Sequence, residues 1–327
     1  MTSRMKIGFK LFAEAFSPHE LVRQAVRAEE VGLDFVEISD HFHPWMHSHG
    51  HSPFVWSVLG SIAAKTERLE LATGVTCPTI RYHPAIIAQA AATTQILADG
   101  RFTLGVGSGE RLNEHVVARG WPEVEQRHRM FREALEIIRR LWQGGMQSYR
   151  GEYLSIEQAR VFDLPDELPP IAVAIGGPKA ARIAAELGDG IFTTDPNPDL
   201  VQAYADAGGS GPRYTEVPLA WAPDADAAAA SAHELFRFGL LDWKVLPELT
   251  NPANFESATQ FVSVDDVREA FACGPDPERH LEVAREFAAA GFDHLALVNA
   301  GPDVDGFLDF YAEELAGPLR ELEPGGS

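Results

Sequence analysis

KIGFKLFAEAFSPHELVRQAVRAEEVGLDFVEIS, residues 6–39, contains a strand, a helix and a second strand in that order. KIGFKL reads as a strand. Ser17, Pro18 and Glu20 then supply an N-cap, a proline at the first helical position and an acid in the first turn. The helix they open runs to about Val31 and stops at Gly32. DFVEIS is the next strand, and strands joined through a helix run parallel. A dinucleotide-binding fold would place GxGxxG directly after the first strand, but FAEAFS stands there. An open doubly wound sheet is therefore the weaker reading.

The same alternation continues to the end of the chain. LELATGV, RFTLGVG, PPIAVAI, GIFTT, YTEVPLAWA and DHLALVNA read as strands. Helices are expected over about 54–66, AIIAQAAATTQIL, EQRHRMFREALEIIRRLW, 178–186, a stretch from about Pro198, AAAASAHELFRF and the closing GFLDFYAEELAGPLREL. Eight such units in 327 residues match a TIM (β/α)8 barrel, in which eight parallel strands close without edges. The expectation is an α/β chain with one barrel domain over 1–327, carrying insertions at about 149–162 and 239–260.

Composition narrows the function classes. Forty-eight acidic against 27 basic residues give a net charge of −21, which repels phosphate backbones and anionic membranes. Nucleic acid is not an expected partner. No apolar run approaches the length of a membrane helix, and the opening MTSRMKIGFKLF has no signal-peptide pattern. Only Cys77 and Cys273 are present, outside any CxxC spacing, which fits a reducing compartment and a cytoplasmic enzyme.

The unusual residues sort to the strand ends, the face where barrels place their sites. Asp40-His41 follows the second strand, and Gly74-Val75-Thr76-Cys77-Pro78 the third. Gly107-Ser108-Gly109-Glu110 follows the fourth, Gly176-Gly177-Pro178-Lys179 the fifth and Thr193-Thr194-Asp195 the sixth. SDHFHPWMHSHGHSPF, residues 39–54, holds five of the 12 histidines. Zinc would need further histidine ligands on later strand ends, and those end in Gly, Pro, Thr and Asn, so no metal is expected. His47, His49 and His51 read as a polar loop. His41 ends a buried strand beside Asp40 and suits proton transfer to or from a hydroxyl, or else is a satisfied core histidine. Trp45 covers the barrel mouth. Glu110 either serves chemistry or simply favours a helix start. Gly176-Gly177-Pro178 with Lys179 has the makings of an anion cradle, although strand-to-helix turns use such residues for geometry alone.

SDHFHPW, GVTCPT, GVGSGERLNEH and AIGGPKAARIAAELGDG together resemble the luciferase-like flavin and deazaflavin enzymes, specifically the branch of F420-dependent glucose-6-phosphate dehydrogenases. The likeness spans nearly the whole chain. It implies a barrel that binds coenzyme F420 at its C-terminal mouth, usually as a homodimer, and transfers a hydride to or from a small alcohol or carbonyl substrate. It implies that His41 acts on the substrate oxygen, Trp45 walls the reaction site and Glu110 exchanges a proton with the ring. Asp40, Gly74, Val75, Cys77, Gly107, Asn113, Ile175, Gly176, Gly177, Pro178 and Thr194 would contact the coenzyme, with a cis peptide at Gly74–Val75. An FMN-dependent monooxygenase and a non-reacting F420 carrier are the alternatives.

One departure bears on the substrate. Where sugar-phosphate-oxidising relatives have a lysine in the sixth loop, this chain has Asn197, with Asp195 beside it. Lys244 and Arg268 are the remaining candidates for a phosphate-binding cation, and neither matches cleanly. Weak or absent use of glucose 6-phosphate is expected.

Overall fold

The computed structural model describes residues 5–242 and 244–325. The reading of the opening residues 1–4 lies outside them. Eight parallel strands occur in the predicted order: β1 (Lys6–Leu11), β2 (Phe35–Ile38), β3 (Glu70–Thr73), β4 (Phe102–Val106), β5 (Ile171–Ala174), β6 (Gly190–Thr193), β7 (Arg213–Ala220) and β8 (His294–Asn299). Each pairs with the next, and β8 pairs back onto β1 with Lys6 opposite His294. The sheet closes into a TIM barrel.

The strand period of two sends alternate side chains into and out of this barrel. Outward residues such as Ile7, Leu11, Val36 and Val217 pack in the main core shared with the helices. Inward residues form two layers. The lower is apolar, from Phe35, Ala172, Phe192, Tyr214 and Ala296. Gly8 belongs here for space, because a Cβ on it would meet the Phe35 ring at 2.4 Å. The upper layer is charged: Lys10 on β1, Glu37 opposite it on β2, and Glu216 on β7.

The first helix, Pro18–Glu30, starts as its cap residues dictate, with Ser17 Oγ accepting from the Glu20 N–H at 3.4 Å. It buries Leu21, Gln24, Ala25 and Ala28, one helical face. Two segments lie outside the strand–helix alternation. The first insertion is a two-stranded antiparallel hairpin, Gln147–Arg150 with Ser155–Ala159. Between β7 and β8 the chain forms helix Ala225–Phe236, short turns and helices through Ala270, and a two-residue strand, Ala272–Cys273, on the end of β7. A further helix, Pro277–Ala289, then leads into β8. The sequence reading passed over that helix, although Asp276 caps it and Leu281, Ala284, Phe287 and Ala288 recur at helical spacing. No helix among the described residues is long and apolar enough to cross a membrane.

Candidate active site

His41 leaves the end of β2 and its ring lies between two carboxylates. Nδ1 is 2.5 Å from Glu14 Oε1, and Nε2 is 3.6 Å from Glu110 Oε2. Glu14 sits in the loop after β1 and is fully buried, with its carbonyl accepting the His51 N–H at 3.0 Å. Glu110 follows β4, and its side chain caps nothing in the short helix Arg111–Glu114 that begins after it. It is turned to His41 instead.

The charges shape one another. Burial works against a charged imidazole, but the Glu14 carboxylate, and after it Glu110, outweigh that and raise the His41 pKa. Burial likewise opposes charge on Glu14, yet His41 holds its pKa below the ordinary range. Glu110 goes the other way. Burial pushes it up to about 7, with the Glu14 and Glu216 charges adding to the rise and His41 opposing it. A histidine whose pKa is raised and a carboxyl pushed up to about 7 therefore face each other.

Asp40, adjacent to His41 in sequence, does not hold the ring. Its carboxylate accepts from Thr76 Oγ1 (2.8 Å), Arg81 (3.0 Å) and Tyr82 (3.2 Å), on the other side of the chain. The backbone reason is simple: consecutive residues of an extended segment point to opposite faces. Sequence reasoning considered the neighbour and missed Glu14, which the parallel pairing of β1 with β2 brings alongside His41. The remaining histidines go to separate partners. His43 bonds the Leu112 carbonyl (3.0 Å), and His47 meets Glu256 (3.2 Å). His49 corrects the expectation of a polar loop: it is buried edge-on to Phe12, 5.2 Å between centroids.

An aromatic wall closes one side. Trp45 stands edge-on to His41 (4.9 Å), stacks on Phe238 (4.6 Å, 15°) and meets Phe255 edge-on (5.1 Å). Phe238 and Phe255 flank and enter the late insertion, which thereby folds over the mouth. Glu248 ties that insertion to the loop after β4 and the helix Val124–Leu141 that follows it, accepting from Trp121 Nε1 (2.8 Å) and Arg127 (3.0 Å). Asn113 braces the same rim, because its Oδ1 accepts the Phe42 and His43 N–H groups (2.8 and 3.2 Å).

Across the mouth lies the Gly74–Val75 segment, whose peptide bond is cis. Cys77 is buried beside it, with its thiol pushed well up by burial. Gly107 has to lack a side chain, since a Cβ would stand 2.8 Å from Val75 Cγ2. Ile175 is buried below, and Gly176 and Pro178 are exposed at the rim with Thr194. Helix Pro178–Leu187 starts at Gly177 with no side-chain cap, and a Cβ there would meet nothing within 4 Å. Its first N–H groups are therefore open to an anion. Lys179 is not part of that cradle; its ammonium pairs with Glu125.

Two of the three candidate substrate residues have side chains engaged elsewhere, Asn197 and Arg268. Asn197 caps helix Pro198–Asp206 by accepting from Asp199 N (2.9 Å). Arg268 pairs with Asp226 (2.8 Å). Lys244 is exposed, and its N–H bonds Asp242 (2.7 Å).

Comparison with known proteins gives a consistent result. The family model described as luciferase-like monooxygenase matches residues 5–294. The chain is 37% identical to an F420-dependent glucose-6-phosphate dehydrogenase of Nocardia farcinica, over 97% of this chain and 99% of the relative. It is 36% identical to one of Rhodococcus erythropolis, over 98% and 100%. Among solved structures, it is similar to an F420-dependent secondary alcohol dehydrogenase in complex with an F420–acetone adduct. That match has a TM-score of 0.90 and 29% identity, covering 97% of this chain and all of the other.

Proposed function

Because the chain belongs to the luciferase-like monooxygenase family, we propose that it is a coenzyme F420-dependent oxidoreductase acting on a small alcohol or its carbonyl counterpart. The observation that carries this reading is the facing pair His41 and Glu110, 3.6 Å apart at the barrel mouth, with Glu14 behind the imidazole. The residues present fit the coenzyme. The uncapped start of helix Pro178–Leu187 offers backbone donors for its phosphate, in a chain otherwise short of positive charge. Gly74, Val75, Cys77, Gly107 and Ile175 would hold its ring, with Asn113 and Thr194 at the edges. Bound there, the deazaflavin supplies two-electron chemistry as hydride.

The chain's own residues manage one proton and one pocket. His41 takes the hydroxyl proton at Nε2 in alcohol oxidation and returns it in carbonyl reduction. Glu14 stabilises the resulting imidazolium and fixes the ring. Glu110 holds or releases a proton near neutral pH on the opposite side. Trp45 and Phe238 exclude water from the reacting atoms.

The substrate is uncharged. Lys10 is committed to Glu216 and Glu37, Arg81 to Asp40 and Glu114, and Asn197 to its helix cap. A phosphate ester would face Glu14 and Glu110 with no cation presented by these groups. The similarity to a secondary alcohol dehydrogenase supports a secondary alcohol or ketone as the substrate class. A panel of alcohols and carbonyls, followed by coenzyme absorbance, tests the activity. Parallel titration with FMN separates the monooxygenase alternative, and tight F420 binding with no turnover on any panel member would make the protein a carrier.

A homodimer is the proposed assembly. Phe54, Ile86 and Leu97 leave apolar surface on and beside helices Val55–Ala63 and Pro84–Leu97, and sedimentation reads the result. A cytoplasmic location is supported by two buried free thiols, Cys77 and Cys273.

A further inference from the structure

Lys10, Glu37 and Glu216 form a buried ion cluster inside the barrel that the mechanism above does not use. Lys10 Nζ is 2.5 Å from Glu216 Oε1 and 3.5 Å from Glu37 Oε1, and Lys10 and Glu37 are almost wholly shielded from solvent. An ammonium removed from water is costly unless its charge and its donors are all matched. The Glu216 carboxylate pairs with it at hydrogen-bond distance, Glu37 lies 3.5 Å away, and a further donor goes to the Gly74 carbonyl at 2.9 Å.

We propose that Lys10 is a positioning residue for the coenzyme seat, holding the Gly74–Val75 segment in place from inside the barrel through the Gly74 carbonyl. The proposal rests on the reading of this mouth as a deazaflavin site. The fit around the segment is close on both sides. A Cβ on Gly74 would meet Glu37 Cδ, Lys10 Nζ and Phe192 Cζ at 3.2 to 3.3 Å. On the neighbouring strand, Gly105 and Gly107 leave room for Thr73 and Val75, and the Gly105 carbonyl accepts from Thr73 Oγ1 (2.7 Å) and Thr76 N (2.9 Å). Neighbour contacts thus fix the two ends of the segment, and Lys10 fixes its middle. A ligand-contacting backbone held by a supporting layer is preorganised and binds without an ordering cost.

Burial raises the Glu37 pKa well above the ordinary range, despite Lys10, and Glu216 adds to the rise.

The test compares the wild-type enzyme with Lys10→Met. F420 affinity is read by coenzyme fluorescence, and amide hydrogen exchange over 73–77 is read without coenzyme. The expected result is a rise of about tenfold or more in the coenzyme dissociation constant, with faster exchange over 73–77 and little change in the substrate Michaelis constant. Equal affinity and equal exchange in a wild-type protein that binds F420 would overturn the proposal. Failure of the wild type to bind F420 overturns the functional reading instead, and the exchange arm then stands as a separate result. If Lys10→Met does not fold, Lys10→Met/Glu216→Gln removes both charges together and is read in the same way.

Discussion

Glu14 Oε1 lies 2.5 Å from His41 Nδ1, although the two side chains come from loops after different strands. The contact leaves Nε2 as the only ring nitrogen free for a substrate. It also raises the imidazole pKa against the effect of burial.

Glu14→Gln removes that charge and lets the His41 pKa fall. Alcohol oxidation needs the neutral imidazole, so its rate rises with pH through the raised value. The acid limb of the kcat/KM profile is expected to move to lower pH in the variant, with kcat reduced about 10- to 100-fold. A pH profile with an unmoved acid limb would remove Glu14 from this role.

His41→Ala is expected to lower kcat by about 1,000-fold while the F420 dissociation constant stays within about threefold of the wild type. Stopped-flow reduction and equilibrium titration separate the two. Retained turnover would exclude His41 as the proton-transfer group.

Glu110 shows its environment in stability as well. Its folded pKa, pushed up to about 7, exceeds the ordinary carboxylate value, so the stability it contributes is present below the unfolded pKa and is lost as pH rises toward 7. Glu110→Gln stays neutral throughout. Its melting temperature should coincide with that of the wild type near pH 5 or just below and exceed it by about 2 to 5 °C at pH 8. Parallel melting curves at both values would contradict the raised pKa.

Glucose 6-phosphate is expected to be used with kcat/KM at least about 100-fold below that of the best neutral secondary alcohol, since Lys10 and Arg81 at the mouth are already paired and Asn197 stands in place of a lysine. Steady-state assays on both compounds decide it. A micromolar Michaelis constant for the sugar phosphate would refute an uncharged-substrate pocket.

Gly105→Ala is a test of the scaffold. The added Cβ would lie 1.8 Å from the Thr73 carbonyl oxygen, so β4 would have to move away from β3 directly under the site. A loss of about 3 kcal/mol or more is expected, read by chemical denaturation. A variant as stable as the wild type would mean that the two strands can separate freely.

The sequence by itself determined the barrel and much of its mouth. Local signals suffice for this: Ser17, Pro18 and Glu20 start a helix wherever they occur, and eight repeats of strand and helix have few closed solutions. The position of His41, Glu110 and Gly74 to Cys77 just past strand ends was legible in the sequence, while the roles proposed for them came from the family resemblance. Helix Pro277–Ala289 was equally legible and was passed over. The tertiary structure alone decided which groups meet. Asp40 is the sequence neighbour of His41, yet Glu14 is its partner, because adjacent residues of an extended chain face opposite ways while the pairing of β1 with β2 brings the loops after them together. Lys10, Glu37 and Glu216 follow the same rule. Each is a charge in the middle of an apolar strand, and only the closed barrel turns all three inward to one point under Gly74. Pairing over such separations is set by the geometry of the whole sheet, which no local stretch encodes.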